Sequence, residues 1–230
     1  EHRFRVATRA LAACVGAQGK VDPAEWAAQV QKIDAELLAA APEAAKPQIE
    51  WEMGLALYDA VQIYQMGGQR DLAIRHGKQA VEYLENGSRG RPEDSSDRYL
   101  LGRMYFRLGS IYAISEQDHK EAVAWFDKAV PVLQRAAAQV ADSERGRLGE
   151  TLASMAVSYW KNGDRDKALR LTRLGVDYME QAVKSGYMQA SVLQTPQDNL
   201  AAMERRLRDG AENRVDRTET AHKKADTVQR

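Results

Sequence analysis

Tyr105-Phe106-Arg107-Leu108-Gly109-Ser110-Ile111-Tyr112, followed ten residues on by Ala122-Val123-Ala124-Trp125-Phe126-Asp127-Lys128-Ala129, is the stretch that decides the fold. Tyr105, Leu108, Gly109 and Tyr112 recur at 3/4 spacing, and so do Ala122, Phe126 and Ala129. Each segment therefore presents one stripe of a helix. Small residues at Gly109 and Ala122 let two helix backbones approach closely, and Tyr105, Tyr112 and Phe126 fill the space beside them. The pattern recurs on both sides. Upstream it reads Leu57, Ala60, Val61 and Tyr64, then Ala73, Gly77 and Ala80. Downstream it reads Leu152, Met155, Ala156 and Tyr159, a turn at Asn162-Gly163-Asp164, then Ala168, Thr172 and Gly175. A decayed fourth copy starts near Asn199-Leu200-Ala201.

The middle copy resembles the tetratricopeptide repeat (TPR), whose pattern is W/Y-x2-L-G-x2-Y followed by A-x3-F-x2-A. The resemblance implies an all-α, TPR-like solenoid of helical hairpins wound as a right-handed superhelix, in which each hairpin needs its neighbours to cover its apolar face. The spacing departs from the family. Ala73 to Ala122 is 49 residues and Ala122 to Ala168 is 46, against the usual 34, and the middle copy carries one extra residue between Tyr112 and Ala122. Longer helices are expected, as in the long-helix variants of the family.

Outward from the repeats, Phe4, Ala7, Leu11, Cys14 and Val15 describe a first amphipathic helix ending near Gly16. Asp22-Pro23 starts a second, with Trp26, Val30, Ile33 and Leu37 on one face. The domain reading is an N-terminal helical pair over 1–45 that caps the array, and repeats over 46–210 (about 49–87, 97–140, 143–185 and a degenerate 189–210). A charged helix or disordered tail follows over 211–230. Glu85–Ser96 reads as a solvated loop, because Asn86, Gly87, Gly90 and Pro92 are turn residues.

Composition narrows the function. Lys+Arg and Asp+Glu balance at 33 each, so the long-range basic field of nucleic-acid binders is missing. One Cys excludes an internal disulfide framework, and no apolar run is long enough to span a bilayer. The chain opens Glu1-His2-Arg3 without Met and reads as a mature chain or a piece excised from a longer parent. A soluble, cytoplasmic setting is favoured, with the compartment otherwise unknown. Four scattered His residues and the lone Cys14 give no metal-ligand spacing, no nucleotide or nucleophile motif occurs, and carboxylates fall on polar helix faces. The reading is no enzyme, no cofactor and no metal.

In TPR proteins the first helix of each pair lines a concave groove. By resemblance, that register assigns Tyr58, Gln62 and Gln65 from the first copy, and Arg103, Phe106, Arg107 and Ser110 from the second. The third copy contributes Trp160, beside Glu150, Ala153 and Val157. Aromatics and amides suit a bound peptide, and the Lys/Asn set that clamps a C-terminal carboxylate is missing there. Phe106, Trp160 and Tyr58 read equally as packing between helices. Arg98, Arg103 and Arg107 read first as answering neighbouring acids (Asp94, Asp97 or Glu52), and second as a clamp for an acidic ligand. The function expected by resemblance is a non-catalytic scaffold holding a peptide or protein partner in the groove. A sensor of a small signalling peptide whose N-terminal pair moves, or a self-assembling scaffold, is the alternative.

Overall fold

The structure, a computed structural model, describes residues 2–16, 22–90 and 95–209. Among these residues every regular element is helical. In chain order they are α1 (His2–Gly16), α2 (Ala24–Ala40), α3 (Lys46–Met66), α4 (Arg70–Gly90), α5 (Ser95–Ile111), α6 (His119–Ala136), α7 (Asp142–Lys161), α8 (Arg165–Lys184) and α9 (194–209). The chain divides into two compact units, 1–140 and 141–230.

In the first unit α3 pairs with α4 and α5 with α6, while α4 lies against α5. The interior is built from Met53, Leu57, Ala60 and Tyr64 of α3, Ala73, Ala80 and Leu84 of α4, Met104 and Leu108 of α5, and Phe126 and Leu133 of α6. These are the stripes at 3/4 spacing, and their burial is what holds the hairpins. The α1–α2 pair packs on α3 through Ala7, Leu11, Cys14, Ala27, Val30 and Ile33. The helix α2 starts one residue later than the sequence predicts, with Pro23 at the N-cap, and the Asp22 carboxylate accepts the Ala24 N–H at 2.9 Å. In the second unit α7 pairs with α8, burying Leu148, Leu152, Met155, Tyr159, Leu171 and Met179, and Met203 of α9 is buried as well.

The Glu85–Gly90 stretch is not a loop. It forms the C-terminal end of α4, and Gly87 is buried. A Cβ on Gly87 would lie 2.8 Å from Trp51 Cβ and 2.9 Å from the Pro47 carbonyl oxygen, and one on Gly90 would collide with the Pro47 ring. These glycines therefore let α4 close on the first turns of α3. Asn86 ties the same region to Glu50, its Nδ2 donating at 3.1 Å. At its other end the expected loop is also helical, since Ser95 and Ser96 begin α5, while 91–94 and the tail expected over 211–230 lie outside the described residues.

The hairpin turns explain the extra residue of the middle copy. After Tyr64 and Tyr159 the chain turns through Gly68 (φ 72) and Gly163 (φ 94). There the Gln69 and Asp164 N–H groups donate back to the Tyr64 and Tyr159 carbonyls at 2.8 and 3.0 Å, the glycine-dependent helix stop. After the equivalent Tyr112, the residues Tyr112–Glu116 form a π-helical turn. Gln117 takes the left-handed position at φ 55, and Asp118 N–H reaches back to the Tyr112 carbonyl at 3.1 Å. The insertion is thus absorbed as one wider turn. Asp118 then caps α6, accepting from Glu121 N–H at 3.0 Å.

Candidate functional site

Within the first unit, α3 and α5 meet directly, and five of the residues expected to line the groove converge there. Arg107 is the centre. Its guanidinium lies over the Tyr58 ring, 4.5 Å from the centroid. It donates to the Tyr58 hydroxyl at 2.9 Å, to Gln62 Oε1 at 3.1 Å and to Gln65 Oε1 at 3.2 Å. Tyr58, Gln62 and Gln65 are one helical turn apart on α3 in overlapping steps, so a single arginine reaches all three. Its Nε is buried without a partner.

The expectation that the arginines answer acids is corrected for Arg107 and Glu52. Arg107 is hydrogen-bonded to neutral acceptors, and Glu52 accepts from Gln48 of its own helix at 2.7 Å. The side chains of Asp94 and Asp97 lie outside the described residues. The acid that feels Arg107 is Asp59, whose pKa is raised by burial and held back by the Arg107 charge. Arg103, one turn before Arg107, lies beside Tyr58 and Tyr99. Burial works against its charge, but the two phenols outweigh burial and its pKa rises. Burial likewise favours the neutral Tyr58 hydroxyl, yet Arg107 and Arg103 outweigh it and lower its pKa. Two guanidinium groups thus share a partly covered face with Asp59, and that face carries surplus positive charge. Leu55 and Met66, on α3 to either side of the cluster, are exposed at 37% and 46%.

Of the remaining expected residues, Phe106 is half-buried and stacks on Phe126 of its own hairpin, with centroids 6.1 Å apart. Ser110 is half-buried on α5. Trp160 belongs to the second unit, on α7, with Arg165 over its ring at 5.5 Å. An open hollow of about 490 Å³ lined by Gly68, Gln69, Arg70, Asp71, Leu72 and Ser115 shares no residue with the α3/α5 face. No cluster of three His, Cys, Asp or Glu side chains suited to a metal occurs among the described residues. None of the described helices is long and apolar enough to cross a membrane.

One feature that sequence reasoning missed is Asp34 of α2, which is fully buried with neither carboxylate oxygen in a hydrogen bond. The signal was its position four residues after Val30, on the stripe that α2 buries.

Residues 102–130 match a family model described as tetratricopeptide repeat, the span that holds most of α5 and most of α6. No curated protein matches the sequence. Among solved structures, the chain is similar to the nearly identical TPR-like repeats of a Podosopora anserina protein described as a kinesin light chain. That likeness has a TM-score of 0.51 at 15% identity, covering 90% of this chain and 98% of that one. A point variant of the same repeats gives 0.52 at 14% identity, covering 91% and 99%. BtubC (BKLC) from P. vanneervenii is matched at TM-score 0.48 and 17% identity, over 89% and 83%. The fold is thus all-α and TPR-like.

Proposed function

We propose that this chain, a tetratricopeptide-repeat protein, is a non-catalytic scaffold that binds a peptide or protein segment along the α3/α5 face. The observation that carries this reading is the fixing of Arg107. A solvated arginine loses rotamer freedom when it grips a ligand, but this one is already held by a ring face and three neutral acceptors. Its remaining attraction for an anion therefore comes with little further ordering cost. Exposed Leu55 and Met66 offer apolar contact on either side, which is how interface anchors are arranged around a charged centre.

A random-peptide display selection against the whole chain tests it. Peptides enriched on the wild type should lose at least about tenfold in affinity on Arg107→Met and on Gln62→Ala, roughly 1.4 kcal/mol or more. Circular dichroism should stay unchanged. Enriched peptides that bind both variants as tightly as the wild type would place recognition elsewhere. Phe106→Ala separates binding from packing: a stability loss as large as the affinity loss assigns Phe106 to the hairpin core beside Phe126.

A further inference from the structure

Beside its apolar packing on α3, the α1–α2 pair meets the first repeat along a polar seam. Gln31 of α2 donates to Gln79 of α4 at 2.9 Å, and Gln79 is also beside His76. One turn further along α2, Asp34 is enclosed completely. Both of its oxygens lack hydrogen-bond partners, which is the costly condition for a carboxylate if it is charged and a mild one if it is protonated. The groups acting on it are Tyr83 of α4, whose hydroxyl is not within normal hydrogen-bond geometry but acts as a weak donor that favours the charged form, and Glu50 of α3, whose charge opposes it. Glu82 of α4 acts on the same Tyr83, Arg75 acts on His76, and Tyr64 of α3, stacked on His76 at 5.1 Å, feels both Asp22 and Arg75. From α1 the buried groups are Ala7, Leu11 and Cys14, and Arg9 is exposed. No cation is among the groups that shift Asp34.

We propose that the α1–α2 pair is a proton-sensitive cover on the first repeat, docked most firmly when Asp34 is protonated and loosened when it ionises. Its release would uncover the sides of α3 and α4 that it packs against. The direction follows from burial, which raises the Asp34 pKa from 3.8 to about 6. A raised carboxyl pKa means the folded state holds the proton more tightly. Docking is therefore strongest below about pH 3.8, weakens as pH rises toward 6, and is level above that. His76 has the opposite sign, its pKa being lowered by burial and by Arg75, so acid alone does not report on Asp34. A comparison with Asp34→Asn does.

The chain carries one cysteine, and it lies buried in α1, so its labelling rate by 4,4′-dithiodipyridine reads opening of this pair. The ratio of wild-type to Asp34→Asn rates cancels the pH dependence of the thiol. Between about pH 4.5 and 8 that ratio should climb by tens-fold, with a ceiling of about 100-fold for the roughly two-unit shift, while amides of α5 to α8 keep their exchange protection. A flat ratio overturns the proposal. So does parallel loss of protection in α5 to α8, because opening would then be global. If Asp34→Asn does not fold, the exchange protection of α2 amides in the wild type decides by the same criterion. Protection that falls from about pH 4.5 to 7 supports the cover, and constant protection refutes it.

Discussion

Replacing Gly175 of α8 by Ala sets two magnitudes of opposite sign against each other. In an isolated helix the change is favourable by about 1 kcal/mol, because Gly is the costlier residue to order. Here a Cβ on Gly175 would stand 2.6 Å from the Gly149 carbonyl oxygen of α7 and 3.0 Å from the Ala153 backbone nitrogen. Both obstacles are backbone, so no rotamer change relieves them. Ordinary contact begins near 3.4 Å, and α7 and α8 must therefore separate locally by about 0.8 Å. A gap of that size forfeits a quarter to a half of the dispersion energy of the facing atoms. Those atoms belong to a pair whose buried side chains include Leu152, Ala156, Leu171, Val176 and Met179. Overpacking of this kind costs about 1–3 kcal/mol, and the upper end applies because nothing flexible yields. The expected net loss is about 2 kcal/mol in urea unfolding followed by circular dichroism. Gly149→Ala makes the reciprocal contact, 2.5 Å to the Gly175 carbonyl oxygen, so one separation of the helices accommodates both methyl groups. The double variant should lose clearly less than the sum of the singles. A neutral or stabilising Gly175→Ala would refute the close approach, and strict additivity would refute the shared displacement.

Two further outcomes follow from single groups. The His76 pKa is lowered by burial first and by Arg75 second, so its contribution to stability is complete above about pH 6.5 and is lost as pH falls toward the folded value. Wild type should therefore lose ground to His76→Gln between about pH 7.5 and 5.5 in paired urea titrations, and an equal gap at both pH values would refute this. Gln117 holds φ 55, which costs an L-residue about 1–2 kcal/mol. Gln117→Gly gives up the Gln117 Nε2 bond to the Ile114 carbonyl and some unfolded-chain entropy, leaving a net gain of roughly 0.5 kcal/mol, seen as a small rise in Tm. A fall in Tm would show that the π turn depends on the Gln117 side chain.

The helical hairpins were readable from side-chain size at helical spacing, whereas the residues expected on the α3/α5 face came from the resemblance to the TPR register. Tyr58, Gln62, Gln65 and Arg107 come together because one register, 3/4 on each of two neighbouring helices, fixes which side chains meet. What resisted reading was the second meaning of residues whose first meaning is local. Gly87 and Gly90 look like breakers in a window of their own, yet each stands where Trp51 or Pro47 leaves no room for a side chain. That requirement belongs to α3 and is invisible along α4. The same holds for charge. Arg107 near acidic residues in the chain predicts an ion pair, whereas its hydrogen bonds go to neutral acceptors of the helix across from it and Asp59 of that helix acts on it through charge alone.

Asp34 is the converse case, since its signal was present and local. An acid four residues after Val30, on a stripe that α2 buries, has no route to water unless α2 turns or leaves. Such a residue is a cost at neutral pH wherever no cation is supplied, and neither Glu50 nor Tyr83 is one. A fold that needed only stability would be better served by an apolar side chain there. The consequence is a gradient of commitment within the first unit. The α3–α4 and α5–α6 hairpins are joined by apolar interiors that do not respond to protons at Asp34. The α1–α2 pair is joined to them across a seam that does. If the α3/α5 face is where a partner binds, then the part of the unit able to move is the part that carries none of the Arg107 cluster, and binding and release can be altered by separate residues.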